Sequence, residues 1–71
     1  MQSLQNDVAI QRKVRNLTQS QLASTVGVTR QTIAAIEKGD YSPSAILAFQ
    51  LAELLGVVVH DLFWLEETTN E

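Results

Sequence analysis

The chain has 71 residues, no cysteine, and a formal net charge of −3 from five Lys and Arg against eight Asp and Glu. A chain of that length makes one small domain, residues 1–71, which buries only about 60% of its unfolded surface. The missing cysteines exclude disulfides and cysteine-zinc staples, so a homodimer is the expected source of extra support.

No charged-then-apolar leader opens the chain, and its most apolar stretch, Ile46 to Val59, is too short for a bilayer and is interrupted by Gln50 and Glu53. A cytoplasmic protein without a membrane span is expected. Residues 7 to 16 carry Val8, Ala9, Ile10 and Val14 among polar neighbours, the pattern of a short helix exposed on one side. In "LTQSQLASTVG", Thr18 and Gln21 have the spacing of a capping box, so the second helix starts there. Leu22, Ala23 and Val26 form its inner stripe, with Leu17 as a hydrophobic staple, and Gly27 stops it.

Gly27, Val28 and Thr29 make a three-residue break, and Thr29 suits the N-cap of a third helix that ends at Gly39. Ile33 and Ile36 turn inward in that helix, which leaves Gln31, Ala34, Ala35 and Lys38 on one outward face. A helix, a short glycine-containing turn and a second helix over residues 19–38 have the helix-turn-helix form. In that arrangement the N-terminal residues of the second helix, here Arg30 and Gln31, reach base edges in the major groove.

"DYSPS" is a turn, and Pro43 or Ser44 opens a fourth helix depending on which serine caps it. Leu47, Ala48, Leu51, Ala52 and Leu55 then give one core face before Gly56 ends the helix. Residues 58–66 are ambiguous: the β-branched start fits a strand, and a fifth helix over Val59 to Phe63 with Leu62 and Phe63 inward fits equally well. Thr68 to Glu71 are expected to fray. The expected architecture is an all-α bundle of four or five helices, with a short C-terminal β-strand left open.

The net acidity argues against a nucleic-acid partner, but the distribution of charge argues for one. All five cations, Arg12, Lys13, Arg15, Arg30 and Lys38, fall in residues 12–38 with the single acid Glu37, a local charge of +4 against −7 elsewhere.

The run "LTQSQLASTVGVTRQTIAAIEKGDYSPS" resembles the lambda-repressor-like, XRE/Cro-type helix-turn-helix regulators. Gln19, Leu22, Ala23, Gly27, Ile33, Ile36, Glu37, Gly39 and Pro43 fall where that family's pattern has them. The resemblance covers nearly the whole chain. It implies a helical bundle, a dimer on a roughly palindromic DNA operator and, in short members, a C-terminal strand used in dimerisation. It also implies base contacts from Arg30, Gln31 and Ala35: Arg can donate twice to guanine, Gln can pair bidentately with adenine, and an Ala methyl can pack on thymine. Gln19 matches a phosphate-contacting position, and Thr32, Lys38, Tyr41 and Ser44 would border the groove and touch phosphates. Lys38 serves equally well as a cation at a helix C-terminus. The acid at position 37 is matched in the family by one that pairs with an arginine of the first helix, here Arg12, so Arg12 is read as structural.

The chain departs from the family pattern at Gln11, Ala45, Ile46 and Val58. Ile46, Phe49, Leu54, Val58, Phe63, Trp64 and Leu65 exceed what one small core buries, and of these Ile46, Phe49, Val58, Phe63, Trp64 and Leu65 are expected at a dimer interface. Enzyme chemistry is not expected: His60 is the single histidine, and with Asp61 and Glu53 it makes no nucleophile-base set. No metal-ligand cluster, cofactor motif, phosphate loop or small-molecule site is legible. Two functions compete: a DNA-binding transcriptional repressor, and an antitoxin-like protein-interaction module that keeps the fold without reading DNA.

Overall fold

Threonine, serine and glycine punctuate the chain, and the computed structural model, which describes residues 1–67, bounds its three longest helices with them. The elements are β1 (Gln2–Asn6), α1 (Val8–Val14), α2 (Gln19–Val26), α3 (Arg30–Lys38), α4 (Ala45–Leu55), α5 (Val59–Leu62) and β2 (Phe63–Glu67). The tail from Thr68 lies outside the described residues.

Each of the three longer helices starts on a hydroxyl. Thr18 Oγ1 accepts from the Gln21 N–H at 3.0 Å while Gln21 Oε1 accepts from the Thr18 N–H at 2.8 Å, so two otherwise unpaired donors are satisfied reciprocally. Thr29 Oγ1 accepts from the Thr32 N–H at 3.2 Å without a return bond. Ser44 accepts from Leu47 N–H at 3.1 Å, so the second serine is the cap and α4 opens at Ala45, one residue later than Ser44 and two later than Pro43. Gly27 ends α2 with a φ of +76°, a left-handed turn that a Cβ would strain, and this reversal sets the angle between α2 and α3.

Helix α1 is shorter than the expected residues 7 to 16. Asn16 takes a left-handed φ of +57°, and the N–H of Leu17 returns to the Arg12 carbonyl at 3.1 Å, closing the helix early. Its start is capped from outside: Asn6 Oδ1 accepts from Val8 N–H at 3.0 Å. The same amide donates from Nδ2 to the Ile36 carbonyl at 2.9 Å, joining the N-terminal strand to α3. Asn6→Ala is expected to lower stability by about 1 to 3 kcal/mol, because both partners lose a bond in a half-buried place. A urea midpoint unchanged from wild type would show that water replaces the amide at no cost.

The core gathers residues from nearly every element: Val8, Leu22, Ala23, Ile33, Ile36, Leu47, Leu51, Ala52, Leu55, Leu62 and Phe63. Val26 and Ala48 are half-buried against it, as is Leu17, whereas Ile10 and Val14 of α1 are exposed. The ambiguity over residues 58–66 resolves into both forms, a single helical turn followed by a strand.

The all-α expectation is approximate. Among the described residues, five helices form the body, and a two-stranded antiparallel sheet pairs β1 with β2, with Gln2 opposite Glu67, Leu4 opposite Leu65 and Asn6 opposite Phe63. Strand β1 had no signal of its own, since "QSLQN" holds one apolar residue; it exists because β2 offers a ladder of backbone partners. Phe63, expected at a subunit interface, is instead 9% exposed and belongs to the core. It stands at the junction of α5 and β2, as the first residue of the strand.

Candidate nucleic-acid interface

Helix α3 is seated by Ile33 and Ile36, which are 0% and 1% exposed. With those two inward, the helical period puts Gln31, Ala34, Ala35 and Lys38 on the outer face. Arg30, Gln31 and Lys38 are exposed, and Ala34 and Ala35 are half-buried, too short to hold a partner's backbone away. Thr32 is half-buried and its hydroxyl lies 3.0 Å from that of Thr29. Tyr41 and Ser44 are exposed in the turn that follows. Lys38 faces Asp40 across 4.0 Å in solvent, a contact of little energetic weight.

Beneath this face lies an ion pair. Arg12 Nε donates to Glu37 Oε2 at 2.7 Å and Arg12 Nη2 donates to Glu37 Oε1 at 3.2 Å, a fork on both carboxylate oxygens. The remaining Nη1 donates to the Leu17 carbonyl at 2.8 Å. The two side chains are 11% and 7% exposed. Arg12 is therefore taken out of the charge available to an anion, and the exposed cations are Lys13, Arg15, Arg30 and Lys38.

Gln19, the first residue of α2, has a role that spacing alone did not reveal. Its Nε2 donates to Glu37 Oε1 at 3.0 Å, and its Oε1 accepts from Arg30 Nη1 at 3.3 Å. Its place at the start of α2 was legible in the sequence; which neighbours it would meet across the turn was not.

The expected dimer residues divide. Ile46 and Phe49 on α4 and Val58 before α5 are 73%, 61% and 62% exposed, and they line one open apolar groove of about 720 Å³. Trp64 and Leu65 stand outside it on β2, where successive side chains point to opposite faces of the sheet. One flat partner surface can cover only one of them. Among the described residues no group of His, Asp and Glu could hold a metal ion, and no helix is long and apolar enough to cross a membrane.

Comparison with known proteins agrees with this geometry. The helix-turn-helix family matches residues 8–61. The chain is 56% identical over 50 residues to the uncharacterized HTH-type transcriptional regulator YgzD of Bacillus subtilis, covering 70% of this chain and 76% of that protein. It is 48% identical over 64 residues to an uncharacterized HTH-type transcriptional regulator of Methanocaldococcus jannaschii, covering 90% and 97%. The crystal structure of a "putative DNA-binding protein" from Bacteroides fragilis superposes with a TM-score of 0.78, covering 86% of this chain and 98% of that one; at 24% identity the likeness is one of fold.

Proposed function

The chain belongs to the XRE, lambda-repressor-like family of helix-turn-helix proteins, and from that premise we propose that it is a sequence-specific double-stranded DNA-binding repressor. It acts in the cytoplasm as a homodimer on a palindromic operator, with no catalytic activity of its own. One observation carries the proposal: α3 is fixed to the core by two isoleucines while Arg30, Gln31 and Ala35 are left for base edges.

The roles divide by chemistry. Arg30 and Gln31 read bases through paired hydrogen bonds, and Ala35 packs on a thymine methyl. Gln19, Thr32, Lys38, Tyr41 and Ser44 hold phosphates and set the register without reading sequence. The Ser44 oxygen is engaged by the Leu47 N–H, which leaves its O–H free to donate. The apolar groove at Ile46, Phe49 and Val58 takes a second copy of the chain, with Trp64 or Leu65 on β2, outside the groove, as a further contact.

Selection from random duplex DNA, followed by binding at several salt concentrations, tests the proposal. An enriched palindrome whose affinity falls as salt rises is the expected result. Arg30→Ala is expected to relax preference at one base pair by about 1 to 3 kcal/mol. Lys38→Ala should weaken binding to all sequences and reduce the salt slope by about 1. No enriched sequence, together with salt-independent binding, would favour the protein-interaction module instead.

A further inference from the structure

We propose that Asn6 is a positioning residue that ties the C-terminal end of α3 to the terminal sheet, so that the two reading helices of a homodimer meet half-sites at one fixed spacing; the proposal rests on the homodimeric DNA-reading function above. Both ends of its amide are engaged. Oδ1 accepts from the Val8 N–H at 3.0 Å, and Nδ2 donates to the Ile36 carbonyl at 2.9 Å. That carbonyl lies in the last turn of α3, where the helix runs out of donors: the N–H four residues on, of Asp40, goes to the Ala35 carbonyl instead. The Gly39 N–H and the Asn6 amide take its place.

The bridge is firm at its sheet end. Asn6 stands in the ladder opposite the buried Phe63, and the next N–H, of Asp7, donates to the carbonyl of the fully buried Leu62 at 3.0 Å. One and two rungs away, Gln5 and Leu4 lie opposite Trp64 and Leu65, the β2 side chains from which the second copy draws its further contact. A contact made there is joined to α3 by the β1–β2 ladder and one side-chain amide. Ile33 and Ile36 set how deeply α3 sits, but apolar packing has no direction, whereas a hydrogen bond fixes the angle of the group it holds. Arg30 lies about 9 Å along the helix from Ile36, so a tilt of about 10° at the Ile36 end carries it about 1.5 Å. Base pairs are spaced about 3.4 Å apart, so errors of that size in two copies together approach one base pair.

Asn6→Ser keeps an oxygen that caps Val8 and is too short to reach Ile36, so it removes the bridge alone, whereas Asn6→Ala removes cap and bridge together. The operator enriched by the wild-type chain is rebuilt with its half-sites one base pair closer and one base pair farther apart. Wild type is expected to reject both altered spacings. Asn6→Ser is expected to lose about 3- to 10-fold of that rejection, the range of a single net hydrogen bond, and to keep wild-type affinity for a single half-site. Asn6→Ala should lose no more spacing selectivity than Asn6→Ser, although it removes more stability.

A loss of spacing selectivity in Asn6→Ala but not in Asn6→Ser would assign the effect to the α1 cap and overturn the proposal. Backbone N–H residual dipolar couplings of the DNA-free protein give a second readout: α3, β1 and β2 should fit one rigid body in wild type, and α3 should need its own alignment in Asn6→Ser. One shared alignment in both proteins would overturn the bridge whatever the DNA result. A wild-type chain that enriches no sequence would overturn the DNA reading and this role together. Enriched half-sites with no preferred spacing would overturn the homodimer and this role but leave base readout standing, whereas a preferred spacing that Asn6→Ser keeps in full would overturn this role alone.

Discussion

Glu37→Ala is expected to remove about 3 to 5 kcal/mol of folding stability, most of the margin of a domain this small. The loss comes chiefly from what remains behind: Arg12, 11% exposed, would keep its charge with only the Leu17 carbonyl as partner. Gln19 would lose its acceptor as well. Glu37→Gln should lie between wild type and alanine, since one amide oxygen can still accept from Arg12. Replacing both partners by apolar residues, Arg12→Met with Glu37→Leu, is expected to recover much of the loss, because no charge is then left buried. Urea unfolding of wild type and the three variants makes the check. A loss under about 1 kcal/mol for Glu37→Ala, the range of exposed pairs, would mean that water reaches the site and screens it.

Phe49→Glu is expected to give a monomer and to reduce affinity for a two-half-site operator by about 10²- to 10⁴-fold, while affinity for a single half-site stays close to wild type. The groove it lines is apolar, and the acids Glu53 and Asp61 lie on its elements. No Lys or Arg occurs after Lys38. In a two-fold dimer that sets the groove against itself, the contact is therefore chiefly apolar, and one buried carboxylate disrupts it. Val58→Glu should act in the same way from the α5 side of the groove. Light scattering at several concentrations reports the mass, and titration of full and half sites reports the coupling. A wild-type protein that stays monomeric, or a Phe49→Glu variant with unchanged mass and operator affinity, would remove this surface from the interface.

Local chemistry made much of the fold legible. Thr18 with Gln21, Thr29, Gly27 and Gly39 mark the limits of α2 and α3 through bonds that span four or five residues, so the helix-turn-helix could be placed before any tertiary contact was known. The outward face of α3 followed from the period of Ile33 and Ile36. Phe63 fits two places in the sequence, the inner face of a fifth helix and a dimer interface, and burial in the core bears out the first. Its apolar character was plain, but whether it faces its own core or another subunit depends on where α5 passes into β2, and a run of mixed pattern does not show that transition.

The sequence by itself determined the limits of α2 and α3, the outward face of α3 and the polarity of charge, because each depends on neighbours within a turn or two of the chain. Only the tertiary structure decided the rest. β1 needed a partner strand that begins 57 residues after its last residue, Asn6, and that residue's amide needed the Ile36 carbonyl. Gln19 became a link between Glu37 and Arg30 only once α2 and α3 had closed on each other. Such contacts join groups whose spacing along the chain carries no period, so the physics that selects them acts only after the helices have packed.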